Sequence, residues 1–325
     1  MDRFTRYAWI VIAANLVVIL WGAFVRVTGS GAGCGNSWPT CNGEIIPRSP
    51  SVETLIELSH RLTSGIALLM VVALLVWARR AYPPGHPVRL GAMLSMIFML
   101  GEAAIGAGIV LFEMVADNAS MARAMFMAVH LGNTFLLVGA MTLTAHWAGG
   151  GPPLQLRDQG QRLWLALAAL GGTLMIGVSG AVAALGDTLF PSNSLIEALR
   201  QDFSPTSHVL IQLRIYHPLI AVSVCLFLLY YLGILRKDAR RNPQLAPVRG
   251  PANALNLLIF VQLGAGTINV ILLAPAWLQL VHLLLADLLW ISLVLTCANS
   301  LAQLDGVTHQ REAEPSAAVG AAATS

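Results

Sequence analysis

Residues 57–77 read ELSHRLTSGIALLMVVALLVW, and this stretch decides the fold. From Leu58 to Trp77 it is predominantly apolar over roughly the 20 residues a helix needs to cross a bilayer. Near its start stands His60. An imidazole inside a bilayer is costly and usually functional. His130, His217 and His282 occupy comparable places, near the start or in the outer third of three further apolar segments.

Working outward, the whole chain has the same character. Its 325 residues are 56% hydrophobic and 11% charged, where an ordinary soluble protein is about 25% charged. The reading is an all-α integral membrane protein. Eight spans are expected, at Tyr7–Val25, Leu58–Trp77, Leu90–Phe112, Ala122–Trp147, Leu163–Leu185, Ile211–Leu235, Ala252–Leu273 and Trp277–Leu301. The first is too long and uniform for a cleaved signal peptide. The net charge of +3 is small, and no Lys/Arg stripe suggests nucleic acid.

Lys and Arg set the orientation. With the N-terminus inside, Arg3, Arg6, Arg79, Arg80, Arg89, Arg157, Arg162, Arg236, Lys237, Arg240, Arg241, Arg249 and Arg311 are inner, 13 of 19. Arg26, Arg48, Arg61, Arg123, Arg200 and Arg214 are outer. Both termini are expected in the cytoplasm and the chain in the plasma membrane of a bacterium. Cys34 and Cys41 then share the first outer loop, with six residues between them. A disulfide is plausible on that oxidising side; free or metal-binding thiols are the alternative. Cys225 and Cys297, in separate spans, read as packing residues.

The chain reads as duplicated. Gly22-Ala23 resembles Gly180-Ala181 at an offset of 158, and His60 precedes His217 by 157. Gly106-Ala107-Gly108 matches Gly264-Ala265-Gly266 at 158, and His130 precedes His282 by 152. With four spans per half, the repeats cross in the same sense, and two pseudo-symmetric four-helix bundles are the simplest architecture. The expected divisions are an N-terminal bundle over 1–148, a cytoplasmic linker over 149–162 around Gly149-Gly150-Gly151-Pro152-Pro153, a C-terminal bundle over 163–302, and a disordered tail over 303–325. Residues 26–57, rich in Gly and Pro, are expected to be turns. Residues 194–200 read as a short amphipathic helix on the membrane surface.

Counting at 1.5 Å per residue puts all four histidines in the outer leaflet. Two bis-histidine metal sites are expected, with haem the natural occupant. His146 lies about 24 Å deeper than His130 by the same rise and is no ligand candidate. Ser64, Thr134, Ala221 and Ala286, one turn after each histidine, are small enough to leave room for a macrocycle edge, or simply for close helix packing. Zinc prefers closed tetrahedral sites, usually with thiolates, and no cysteine lies at matching depth. Arg26, Arg61 and Arg214 are sensible partners for haem propionates; their other role would be anchoring helix ends. Glu57, one turn outside His60, suits proton shuttling or charge stabilisation, or equally a first-turn acid favoured by the helix dipole. Glu102 and Asp287, inside spans three and eight, are functional candidates by their cost in a bilayer, with no role assigned, and polar packing toward the bundle interior is the safer reading.

At these residues the chain resembles the haem A synthase family, across essentially all eight spans. The most specific segments are Arg26-Val27-Thr28-Gly29-Ser30-Gly31 with Cys34, Trp38-Pro39-Thr40-Cys41-Asn42-Gly43, and Glu57-Leu58-Ser59-His60-Arg61. His130-Leu131-Gly132-Asn133-Thr134 and the stretch at His282 fit as well. The resemblance implies that His60 and His130 hold the substrate haem O, and that His217 and His282 hold a haem b cofactor. It implies oxidation of a porphyrin methyl to a formyl group, giving haem A for cytochrome oxidase. It also implies a Cys34–Cys41 disulfide near the substrate and a catalytic Glu57. Pro218 departs from the His-Arg pair of the first half.

The partners implied are haem O, membrane lipid, haem O synthase, cytochrome oxidase assembly and an electron partner of unknown identity. The competing reading is a di-haem b electron-transfer protein without chemistry on haem. A haem transporter is a third, though such proteins often use a tryptophan-rich outer loop, and only Trp38 lies in the first long loop.

Overall fold

A computed structural model describes residues 1–302. The tail expected to be disordered, with His309 and Arg311, lies outside the described residues. Among the described residues, eight helices are long and apolar enough to cross a membrane. They are α1 (Arg3–Val27), α2 (Val52–Ala81), α3 (Pro87–Leu111), α4 (Met121–Ala148), α5 (Gln161–Leu189), the broken pair α7 (Val209–Leu213) and α8 (Tyr216–Arg241), α9 (Arg249–Ile271) and α10 (Ala276–Ser300). The short α6 (Leu195–Asp202) sits between α5 and α7. Ser194 caps it, and Ile196, Leu199 and Phe203 are exposed. This is the amphipathic helix expected at 194–200.

Polar caps start several helices, which is why they begin before the apolar run does. The first backbone N–H groups of a helix lack intrahelical partners, and a side-chain acceptor supplies one. Asp2 accepts from the N–H of Thr5 at 2.6 Å, Ser51 from Thr54 at 3.2 Å, and Ser120 from Arg123 at 3.2 Å. His86 and His208 are also caps, accepting from the N–H groups of Val88 and Leu210. The Ser51 cap lets α2 begin at Val52 rather than Leu58. Residues 52–57 are therefore helical and not turn, a correction to the expected loop over 26–57. Inside that loop, Ser30–Ala32 form one 3-10 turn.

Span six is broken at Arg214-Ile215, where one continuous helix was expected. Pro218 explains the break. It has no N–H for the carbonyl of Arg214, four residues back, and its ring clashes with that carbonyl.

In the first half α1 packs on α2 and α4, α2 on α3, and α3 on α4. In the second, α5 packs on α8 and α10, α8 on α9, and α9 on α10. The halves meet where α4 lies against α5 and α10, and α1 against α10. Mid-span, the Trp290 ring stacks on Phe135 at 5.3 Å and its indole N–H donates to the Phe135 carbonyl at 2.6 Å. Gly139 makes room for that indole, whose Nε1 lies 3.3 Å from where a Cβ would be. The segment between the halves is pinned too, with Gln155 N–H donating to the Leu301 carbonyl at 2.9 Å.

Candidate functional site

The four histidines lie six to nine residues into their spans, about 9–14 Å along the helix at 1.5 Å per residue. All four are half-buried. His60 and His130 are near enough to interact electrostatically, and so are His217 and His282. The histidines therefore lie near one another within each half.

Glycines shape both pockets. A Cβ on Gly22 of α1 would meet His60 Cε1 at 3.0 Å, and one on Gly180 of α5 would meet His217 Cε1 at 3.0 Å. Gly266 of α9 backs His282 at 3.1 Å. The sequence marked these glycines as repeat landmarks; their job is to let a neighbouring helix lie flush against an imidazole. The fourth matched glycine differs, because Gly108 faces Phe126 and not His130.

Second contacts orient the rings. Ser179 Oγ lies 3.2 Å from His217 Nδ1. Gln262 Nε2 lies 3.3 Å from His282 Nε2 and donates to the His282 carbonyl at 3.1 Å. Glu102 Oε2 stands 3.2 Å from His130 Nδ1. Spacing alone did not reveal these partners, since each comes from a different helix. Ser64 and Thr134 turn their hydroxyls back to the carbonyls of His60 and His130 at 2.7 and 2.9 Å.

The separation of the C-terminal pair suits a haem. Two imidazole nitrogens ~2 Å from one metal, with ring centroids ~1.2 Å behind them, put the centroids ~6 Å apart. The His217 and His282 centroids are 6.4 Å apart. Among the described residues no three His, Cys, Asp or Glu side chains gather as metal ligands. Two imidazoles suit a metal that brings its own equatorial nitrogens, as haem does, better than a bare zinc ion that takes four protein ligands. His60 Nδ1, His130 Nδ1 and His282 Nδ1 are buried without hydrogen-bond partners.

The three arginines expected at propionates have protein partners. Arg26 crosses between the halves, donating to the Ala184 carbonyl at 2.6 Å, Thr188 Oγ1 at 2.8 Å and Gln279 Oε1 at 2.9 Å. Arg61 donates to the carbonyls of Ser37 and Thr40 at 2.7 and 2.6 Å and pairs with Glu57. Arg214 pairs with Asp187 at 3.1 Å and Asp202 at 2.8 Å. Only the Arg61 Nε among the donors of that side chain is left buried and unpaired.

Glu57 is almost fully buried, and its Oε2 accepts the Cys34 N–H at 2.8 Å. Cys34 and Cys41 are joined in a disulfide, with Cα atoms 4.3 Å apart, and both are fully buried. One carboxylate thus fastens the disulfide loop and Arg61 to the helix that carries His60. Gly33 adds to this contact, because a Cβ there would strike the Glu53 backbone at 2.4 Å. Cys225 and Cys297 are free and buried, in keeping with packing roles. Asp287 is fully buried with neither carboxylate oxygen hydrogen-bonded.

The family model described as cytochrome oxidase assembly protein, COX15-CtaA, matches residues 5–294. A Thermus thermophilus protein named protoheme IX farnesyltransferase is 52% identical over 303 residues, covering 92% of this chain and 49% of that protein. A heme A synthase of Bacillus mycoides is 38% identical over 144 residues, and one of Bacillus cereus 37%, each covering 44% of both chains. The chain spans about half the length, or less, of these curated relatives.

Proposed function

The chain belongs to the COX15-CtaA family of cytochrome oxidase assembly proteins, and on that premise we propose that it is a haem A synthase, a membrane oxidoreductase that turns a methyl group of haem O into the formyl group of haem A. The observation that carries the reading is the pair of two-histidine sites, one per half, with Gly22 and Gly180 seated against His60 and His217. His60 and His130 would hold the substrate, and His217 and His282 a haem b. The halves are read as two duplicated four-helix bundles in the plasma membrane, with the disulfide outside and both termini in the cytoplasm.

Bound iron porphyrin would supply the redox chemistry that side chains lack, with the four electrons lost by the methyl group passing to an external acceptor. The chain's residues position and shield. His60 and His130 fix the substrate beneath the disulfide loop. Glu57 keeps that loop closed and puts a carboxylate one turn from His60, where it would stabilise positive charge developing at the porphyrin rim. The seam between α4 and α10 keeps the two sites in a fixed relation for electron transfer.

The name of the Thermus relative belongs to a protein of which this chain matches half. Farnesyl transfer is said of that relative by its name alone. Its farnesylated haem product is the class of substrate proposed here.

Pigment extraction after co-expression with a haem O synthase tests the reading. Recovery of haem A is expected. Haem b alone, cycling reversibly between redox states, would instead establish the di-haem electron carrier.

A further inference from the structure

We propose that Glu102 is a positioning residue that sets the electron donation of His130, and that it distinguishes the iron environment of the N-terminal site from that of the C-terminal one. The inference rests on haem occupying the His60–His130 pair. A carboxylate inside a span is expensive and calls for a reason. Glu102 sits on α3 with Oε2 3.2 Å from His130 Nδ1. Two side chains of α4 hold it there. Asn133 Nδ2 donates to Oε1 at 2.6 Å while also donating to the Phe98 carbonyl at 2.8 Å, and Thr134 Oγ1 lies 3.1 Å from Oε1. A Cβ on Gly101 would stand 2.8 Å from Asn133 Oδ1, so the adjacent glycine is what lets Asn133 reach this place. The contact is an ion-pair approach and not a hydrogen bond, because His130 Nδ1 has no hydrogen-bond partner.

The other half is built differently. The offset of 158 that matches Gly106 to Gly264 carries Glu102 onto Phe260. There the side chain against His282 is the amide of Gln262, and His217 has the hydroxyl of Ser179. Among the described residues, only the N-terminal pair has a carboxylate against an imidazole. With Nδ1 facing Glu102, Nε2 is the nitrogen left for iron. A carboxylate behind a ligating imidazole fixes the ring and raises its basicity. Stronger donation stabilises the oxidised metal, so this contact lowers the reduction potential of the N-terminal haem.

The test is a spectroelectrochemical titration of the purified full-length protein, wild type against Glu102→Gln, with both haems resolved. The variant is expected to raise the midpoint of the N-terminal haem and leave the haem b of the other half unmoved. Loss of the N-terminal haem alone, with haem b retained, also supports the proposal, because His130 has then lost its orientation. An N-terminal haem with unchanged occupancy and potential overturns it. If Glu102→Gln loses both haems, Glu102→Asp decides: a raised potential supports the proposal and an unchanged one overturns it. Failure of the underlying reading looks different. The wild type then has no haem that His60→Ala removes, which defeats the functional assignment and this inference together.

Discussion

Glu57 in the first half and Arg214 in the second stand 157 residues apart, each three residues before the first histidine of its half. They perform the same mechanical task. Glu57 ties the disulfide loop to α2 through the Cys34 N–H and Arg61. Arg214 ties the end of α5 and the end of α6 to α8 through Asp187 and Asp202. The charge is opposite. The first half also places Glu102 on its second histidine, where the second half has a neutral amide. A shared scaffold with diverged electrostatics is what one expects if one half performs oxidation and the other keeps a cofactor.

The sharpest way to break this comparison is to remove the charge of Glu57. Glu57→Ala should cut haem A formation by about 10²-fold or more, the scale of a lost acid, base or charge stabiliser, while haem b content stays near normal. Unchanged turnover would take Glu57 out of the chemistry and leave it a loop fastener like Arg214.

A second experiment exploits what the halves share. Gly180→Ala drives a methyl to 3.0 Å from His217, and overpacking of this kind costs about 1–3 kcal/mol. Haem b per protein should fall several-fold, and Gly22→Ala should leave it intact while lowering haem A output. Equal haem b loss in both variants would mean the glycines serve general packing.

A smaller effect is expected from the disulfide, which has no counterpart in the second half. Cys34→Ala with Cys41→Ala removes a short-loop cross-link worth roughly 2–3 kcal/mol on chain-entropy grounds. Thermal melting should move down, with haem b still bound at temperatures below the transition. The smallest effect separates two roles for Arg26. As a clamp between the halves, Arg26→Leu should cost about 1–3 kcal/mol in stability by stranding buried acceptors, without changing haem stoichiometry. If haem content falls and stability holds, the side chain serves propionates instead.

The spans were legible because a bilayer demands a long apolar run, a signal carried by composition. Their ends were not, since α2 starts on the Ser51 cap, in polar sequence that a hydropathy reading ignores. The break in span six had its cause in plain view at Pro218, but one ring at a helix start is also compatible with an unbroken helix. The histidine layer was readable from depth alone. The partners of each ring were not, because Glu102, Ser179 and Gln262 reach their histidines across helix interfaces. The arginines show the same limit. Arg26, Arg61 and Arg214 are long enough to reach a propionate or a carbonyl, and spacing does not choose between them.

The central claim is that each half binds its own iron porphyrin through its own histidine pair. The most direct measurement is the haem b content of the purified protein carrying His217→Ala and His282→Ala, beside one carrying His60→Ala and His130→Ala. The account predicts that the first pair of changes abolishes haem b and the second leaves it in place. Normal haem b in the His217→Ala, His282→Ala protein would contradict it.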